Sequence, residues 1–149
     1  MPKVERQTTI QGVEARELYD VVTDYEAYPN YFKDFTRCKI HQKDGDVWTV
    51  EFFAKVIKEV SYTLRIEHDP EALETRWTFV RGKLVSDSKG GWSFTDLEGG
   101  GARIDYDAEI EVKAPLIPRR IKDKIQDMIL NKSIGSMFTQ LEAETKRRR

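Results

Sequence analysis

From Phe35 to Lys113 the apolar residues of this chain fall on every second position, in run after run, and no gap between runs is long enough for a crossover helix. Trp48, Val50, Phe52, Ala54 and Val56 share one face, and Val60, Tyr62, Leu64 and Ile66 share the next. Leu73, Thr75, Trp77 and Phe79 alternate with Glu74, Arg76 and Thr78, and Trp92 pairs with Phe94. Ala102, Ile104, Tyr106, Ala108, Ile110 and Val112 oppose an almost wholly charged set from Arg103 to Lys113. A period of two predicts strands, and short connections with one wet and one apolar face predict an antiparallel sheet. Asp44-Gly45, Asp69-Pro70, Gly82 and Gly99-Gly100-Gly101 supply the turns. Pro115 and Pro118 end the sheet. A Pro-free stretch from Arg119 to about Thr145 then carries Ile121, Ile125, Met128, Ile129, Ile134, Met137, Phe138 and Leu141 as a broad stripe. It predicts a helix about 40 Å long.

Ahead of the sheet, Val4 to Gln11 reads as a first strand and Gly12 as a turn. Ala15, Leu18, Val21, Val22 and Tyr25 recur at helical spacing, and Pro29 can open a second short helical turn. Seven strands span roughly 34 Å, whereas one helix is about 10–12 Å across. The apolar face must be buried, so the sheet has to curl around the helix with the two short helices at one edge. A slender rod inside a broad curved sheet leaves room for an apolar cavity.

Composition narrows the function. The 149 residues are 39% hydrophobic and 11% aromatic, which suits one globular domain over residues 1–149. Lys146, Arg147, Arg148 and Arg149 form a basic tail, expected to be flexible or a solvated helix end. Setting those four aside from the 25 basic residues leaves the 26 acidic ones five ahead, which argues against nucleic acid as a partner. One Cys and two His leave no basis for a metal site, and no cofactor motif is present. Without a long apolar run or an apolar leader, a cytoplasmic protein is expected.

The segment Glu14-Ala15-Arg16-Glu17-Leu18-Tyr19-Asp20-Val21-Val22-Thr23-Asp24-Tyr25-Glu26-Ala27-Tyr28-Pro29-Asn30-Tyr31-Phe32 resembles the opening of START-like (SRPBCC) proteins. It is most similar to the branch of polyketide cyclase/dehydrase-type and coenzyme Q-binding proteins. The shared features are a helix ending in Asp-aromatic-Glu-x-Tyr-Pro, the strand meander, and a last helix opened by prolines. The resemblance implies an α+β helix-grip fold. It also implies a hydrophobic ligand such as a lipid, an isoprenoid quinone or a polyketide.

The ligand-binding candidates are the inward residues Trp48, Phe52, Tyr62, Leu64, Trp77, Phe79, Trp92, Phe94 and Tyr106, with Met128 and Met137 from the helix. Several aromatic residues on one concave face suit an apolar pocket with a few orienting polar groups. An entrance is expected at Tyr28, Tyr31 and Phe32 and at the loops Lys58-Glu59 and Gly82-Lys83, where exposed rings could touch a membrane during ligand uptake. Cys38 reads as an inward, inert thiol, and Gly135 as a site of close packing or open space. No nucleophile elbow or phosphate loop is present and no catalytic residue is assigned. The expected activity is binding, with possible transport, of a hydrophobic small molecule. A cyclase working in the same cavity would draw on Tyr62, Tyr106, His68, Arg6 or Arg81, and a ribosome- or protein-associating module would draw on the basic tail.

Overall fold

The computed structural model describes residues 1–55, 59–113 and 115–149. Val56, assigned above to the Trp48 face, and Lys58, assigned to the entrance, lie outside the described residues. The chain runs β1 (Lys3–Ile10), α1 (Ala15–Val22), a 3-10 turn (Tyr25–Asn30), β2 (Phe35–Asp44), β3 (Val47–Lys55), β4 (Glu59–Asp69), β5 (Glu74–Lys83), β6 (Val85–Asp96) and β7 (Ala102–Val112). A C-terminal helix follows in three parts: α2 (Arg119–Asp127), a π turn (Met128–Ser133) and α3 (Ile134–Arg147). Among the described residues the seven strands form one antiparallel sheet ordered β1-β7-β6-β5-β4-β3-β2. Each strand from β2 to β7 pairs with its chain neighbours, and β1 adds to β7. The α+β helix-grip architecture read from the sequence is the one observed.

Side-chain alternation explains why the strands bury one face. In β7 the residues Ala102, Ile104, Tyr106, Ala108, Ile110 and Val112 are all buried, while those between them stay half-exposed. The β2–β3 hairpin turns at Gly45, whose φ of 60° is open to glycine at no steric cost. α1 is fixed at its start by the Glu14 N–H on the Glu17 carboxylate, 2.9 Å, and by the Ala15 N–H on the Asp96 carboxylate, 2.8 Å. The second contact ties the helix to the end of β6.

The long helix departs from the sequence expectation. The sequence predicts one unbroken α-helix from Arg119, but Met128–Ser133 is wound as a π turn. The buried positions show the reason: Ile125, Leu130, Ile134 and Leu141 are all buried, and the step from Ile125 to Leu130 is five residues. An i to i+5 turn is what returns a residue five along to the same face. α3 then packs along α1. The basic tail is engaged there: Arg147 and Arg148 pair with Glu144 at 2.7 and 2.9 Å, Arg148 also pairs with Asp24 at 2.9 Å, and the Arg149 Nε reaches Glu17 at 2.8 Å. These cations face the protein's own carboxylates and form no free basic patch.

Candidate functional site

Between the sheet and the C-terminal helix lies a cavity. Its volume is about 110 Å³, and it opens to solvent. Phe52, Ala54, Val60, Tyr62 and Leu64 of β3 and β4 form one wall. Trp77, Trp92, Tyr106, Ala108 and Ile110 of β5 to β7 form the other. Ile129, Leu130, Ile134 and Met137 roof it, and Tyr25, Tyr28, Phe32 and Phe35 close one side.

Of the residues singled out from the sequence, Phe52, Tyr62, Leu64, Trp77, Trp92, Tyr106 and Met137 come together around this space, and Trp48, Phe79, Phe94 and Met128 do not. Trp48 is drawn aside by its indole N–H on the Gly45 carbonyl, 3.0 Å, with its ring between His68 and the Lys43 ammonium. Phe94 is buried and stacked behind Trp92, with ring centroids 5.7 Å apart. Phe79 sits past Trp77 beside Gly82, near the end of β5. Met128, at the start of the π turn, is half-buried and does not line the cavity, whereas Ile129 and Leu130 do.

Of the expected entrance trio, Tyr28 and Phe32 are turned inward and Tyr31 stays half-exposed. Tyr28 and Phe32 line the cavity but are only 3% and 1% exposed. The Tyr28 hydroxyl donates to the Val22 carbonyl and the Tyr31 hydroxyl to the Val21 carbonyl, 2.8 Å. These bonds satisfy carbonyls at the end of α1 and pull both rings onto the domain. The three rings form an edge-to-face plug, Tyr28 to Phe32 at 4.8 Å and Tyr31 to Phe32 at 4.7 Å. The sequence reading also missed Tyr25 as a wall residue. Its signal was the three-residue spacing to Tyr28, which puts both on one side of the 3-10 turn.

The polar groups divide into those already engaged and those left open. His68 is engaged: the Asp46 carbonyl can only accept, so the His68 Nδ1 at 2.9 Å carries the proton, and Nε2 accepts from the Tyr25 hydroxyl at 2.8 Å. Burial lowers the His68 pKa and favours this neutral form. The Trp77 indole N–H donates to the Ser88 hydroxyl, 3.2 Å. Tyr62, Tyr106 and the Trp92 indole are different, since among the described residues no protein group bonds to their polar tips. Among the described residues no fully buried side-chain polar atom lacks a partner. These three tips therefore meet accessible space, and their rings stand in the cavity wall. Burial raises the pKa of both phenols, so they are hydrogen-bond donors rather than phenolates.

Catalytic equipment is sparse. Arg6 and Arg81, candidate acid–base or anion-stabilising groups, are exposed at the surface. Arg6 shares the register of Val4 and Ile10, but on the edge strand β1 its side chain is exposed. Cys38 is buried, and burial pushes its thiol pKa up to about 12. His41 lies near the surface on the Glu51 carboxylate, 2.7 Å. Among the described residues no group of three His, Cys, Asp or Glu could hold a metal ion.

Residues 12–132 match the family described as polyketide cyclase / dehydrase and lipid transport. The chain belongs to that family. No curated protein matches its sequence. Among solved structures, it is similar to TTHA0849 from Thermus thermophilus, at 21% identity, with 99% of each chain covered and a TM-score of 0.85. It is also similar to the Zhui aromatase/cyclase from Streptomyces sp. R1128, at 16% identity, with 99% of this chain and 94% of that one covered and a TM-score of 0.86. A STAR-related lipid transfer protein from Xanthomonas axonopodis aligns at 11% identity over 97% of this chain and 85% of that one, with a TM-score of 0.70. At these identities the likeness is one of fold. Family membership makes a hydrophobic ligand or a polyketide the class of molecule at issue.

Proposed function

We propose that this protein binds and carries a hydrophobic small molecule that bears oxygen acceptors, a lipid, an isoprenoid quinone or a polyketide, in the cavity beneath α3. The carrying observation is an apolar chamber with three open donors, the Tyr62 and Tyr106 hydroxyls and the Trp92 indole N–H. Apolar walls take the hydrocarbon by burial, and a few polar tips fix its orientation. Engagement of His68 by Tyr25 and Asp46, and exposure of Arg6 and Arg81, favour holding over chemistry. The same two phenols favour the cyclase as second reading, because a donor beside a ketone can stabilise its enolate.

The test has two arms. Mass spectrometry of an organic extract of the purified protein should find a hydrophobic compound, and an added quinone or fatty acid should displace an environment-sensitive dye. Failure of every such ligand to displace the dye or raise the melting temperature overturns binding. Turnover of a poly-ketone chain that is lost in Tyr62→Phe and Tyr106→Phe selects the cyclase.

A further inference from the structure

Among the described residues Leu116 stands out: it is 96% exposed, between Pro115 and Pro118, where β7 hands over to α2. Ile117 beside it is half-buried, and Ile121, in the first turn of α2, is 39% exposed. Single exposed apolar residues are ordinary, but this group has a charged setting. Residues 113–124 contain Lys113, Arg119, Arg120, Lys122 and Lys124 against one acid, Asp123. Only Lys122 is paired among the described residues, with Glu111 at 3.1 Å. That pair fixes the first turn of α2 against β7, and the Lys113 N–H on the Leu84 carbonyl, 2.9 Å, fixes the other side. These contacts anchor the two ends of the segment at Lys113 and Lys122, and Leu116 stands in solvent.

We propose that this tip docks the protein peripherally on an anionic lipid bilayer, with Leu116 and Ile121 in the headgroup region and Lys113, Arg119, Arg120 and Lys124 against lipid phosphates and carboxylates. The argument is complementarity of charge and polarity. Apolar side chains ringed by cations match an interface that is apolar beneath and anionic above. Elsewhere acidic residues outnumber basic ones, so the molecule carries a dipole that turns the tip toward a negative surface. A protein groove would have to supply both a leucine pocket and at least four carboxylates. Among the described residues no helix is long and apolar enough to cross a membrane, so the contact is peripheral. The aromatic residues Tyr28, Tyr31 and Phe32, the earlier candidates for touching a membrane, are turned onto the domain and take no part.

Co-sedimentation of the full chain with vesicles tests this, using phosphatidylcholine mixed with phosphatidylserine against phosphatidylcholine alone. Binding should require the serine lipid and weaken with salt. Arg119→Glu with Arg120→Glu should weaken it about 25-fold or more, at about fivefold per lost cation. Leu116→Asp or Leu116→Ser should weaken it about tenfold. Leu116 touches almost nothing, so these variants should melt like the parent. Lys39→Glu, exposed on β2, should leave binding unchanged. Absence of binding to the anionic vesicles, tip variants that bind like the parent, or equal loss in Lys39→Glu overturns the proposal. So does capture of a protein through the tip without vesicle binding. None of these readouts depends on what the cavity holds, so its failure is separate from failure of the carrier reading.

Discussion

Replacing Ala108 by Leu tests whether the cavity is real empty space. Ala108 lies on β7 between Tyr106 and Ile110, 5% exposed, with its face in the cavity wall. The cavity it borders, about 110 Å³, has room for a larger side chain. Leu adds three carbons, each giving about 0.8 kcal/mol when buried, which is about 2.4 kcal/mol at most. Part is lost to imperfect fit and side-chain entropy, leaving a gain of about 1 kcal/mol. For a domain of this size that is about 2–4 °C in melting temperature. A close-packed site would respond in the opposite direction, because forcing three carbons into it costs about 1–3 kcal/mol. The assay is thermal unfolding of extracted, ligand-free protein, alongside dye displacement. Ala108→Leu should melt at or above the parent and bind the dye more weakly. A fall of several degrees with dye binding intact would refute the reasoning, since it would mean that the space is already filled by the chain.

Three further outcomes follow from the same geometry. Tyr62→Phe and Tyr106→Phe each delete a donor with no partner among the described residues, so neither should lose more than about 0.5 kcal/mol of stability. Each should lower affinity for an oxygen-bearing ligand about fivefold or more, and equal affinity in both variants sinks the orienting role. Gly90→Ala would put a Cβ 2.2 Å from the Asp107 carbonyl and 2.6 Å from the Trp77 ring. Backbone cannot yield there, so melting should drop by at least about 2–4 °C per kcal/mol lost and Trp77 fluorescence should shift; an unchanged melt contradicts the packing. His68 titrates from 6.5 in the unfolded chain but lower in the fold, because burial disfavours the cation. The unfolded chain then binds more protons, so stability is intact above pH 6.5 and falls as pH drops toward the folded value. Glu17 and Glu144, held near 2 by Arg149 and Arg147, act in the same direction but only below their ordinary 4.5. His68→Gln should flatten the melting profile between pH 6.5 and 4.5 while leaving the loss at lower pH; an unaltered slope refutes the assignment.

The alternation of β7 and the proline-opened last helix made the fold legible, because a one-sided antiparallel sheet and a single long helix have few ways to bury each other. The cavity wall was legible where strand period alone decides direction, as at Phe52, Tyr62, Trp92 and Tyr106. It was not legible where a side-chain polar tip finds a backbone carbonyl. Trp48 and Tyr31 are steered by such single bonds, to Gly45 and Val21. Neither bond can be read from local sequence, since each depends on where a turn or helix end falls in space. The π turn escaped for another reason: periodicity analysis assumes 3.6 residues per turn, and Ile125 to Leu130 breaks that step.

That break also explains why a cavity survives. A regular helix carrying Met128 inward would have placed a long, adaptable side chain in the hollow, which is what methionine does in cores. Along the π turn Met128 stays off the cavity, and Ile129 and Leu130 form a shallower roof. The walls carry Ala54 and Ala108, their smallest apolar side chains, and Gly90, whose missing Cβ lets the Trp77 ring lie back against β6. Small residues in both walls thus face one cavity. Restoring volume on either side, at Ala54 or at Ala108, is therefore expected to close one and the same space. The two substitutions combined should give less than the sum of their separate gains in melting temperature, since neighbours that share a cavity are not additive. Simple additivity would show that they face separate voids.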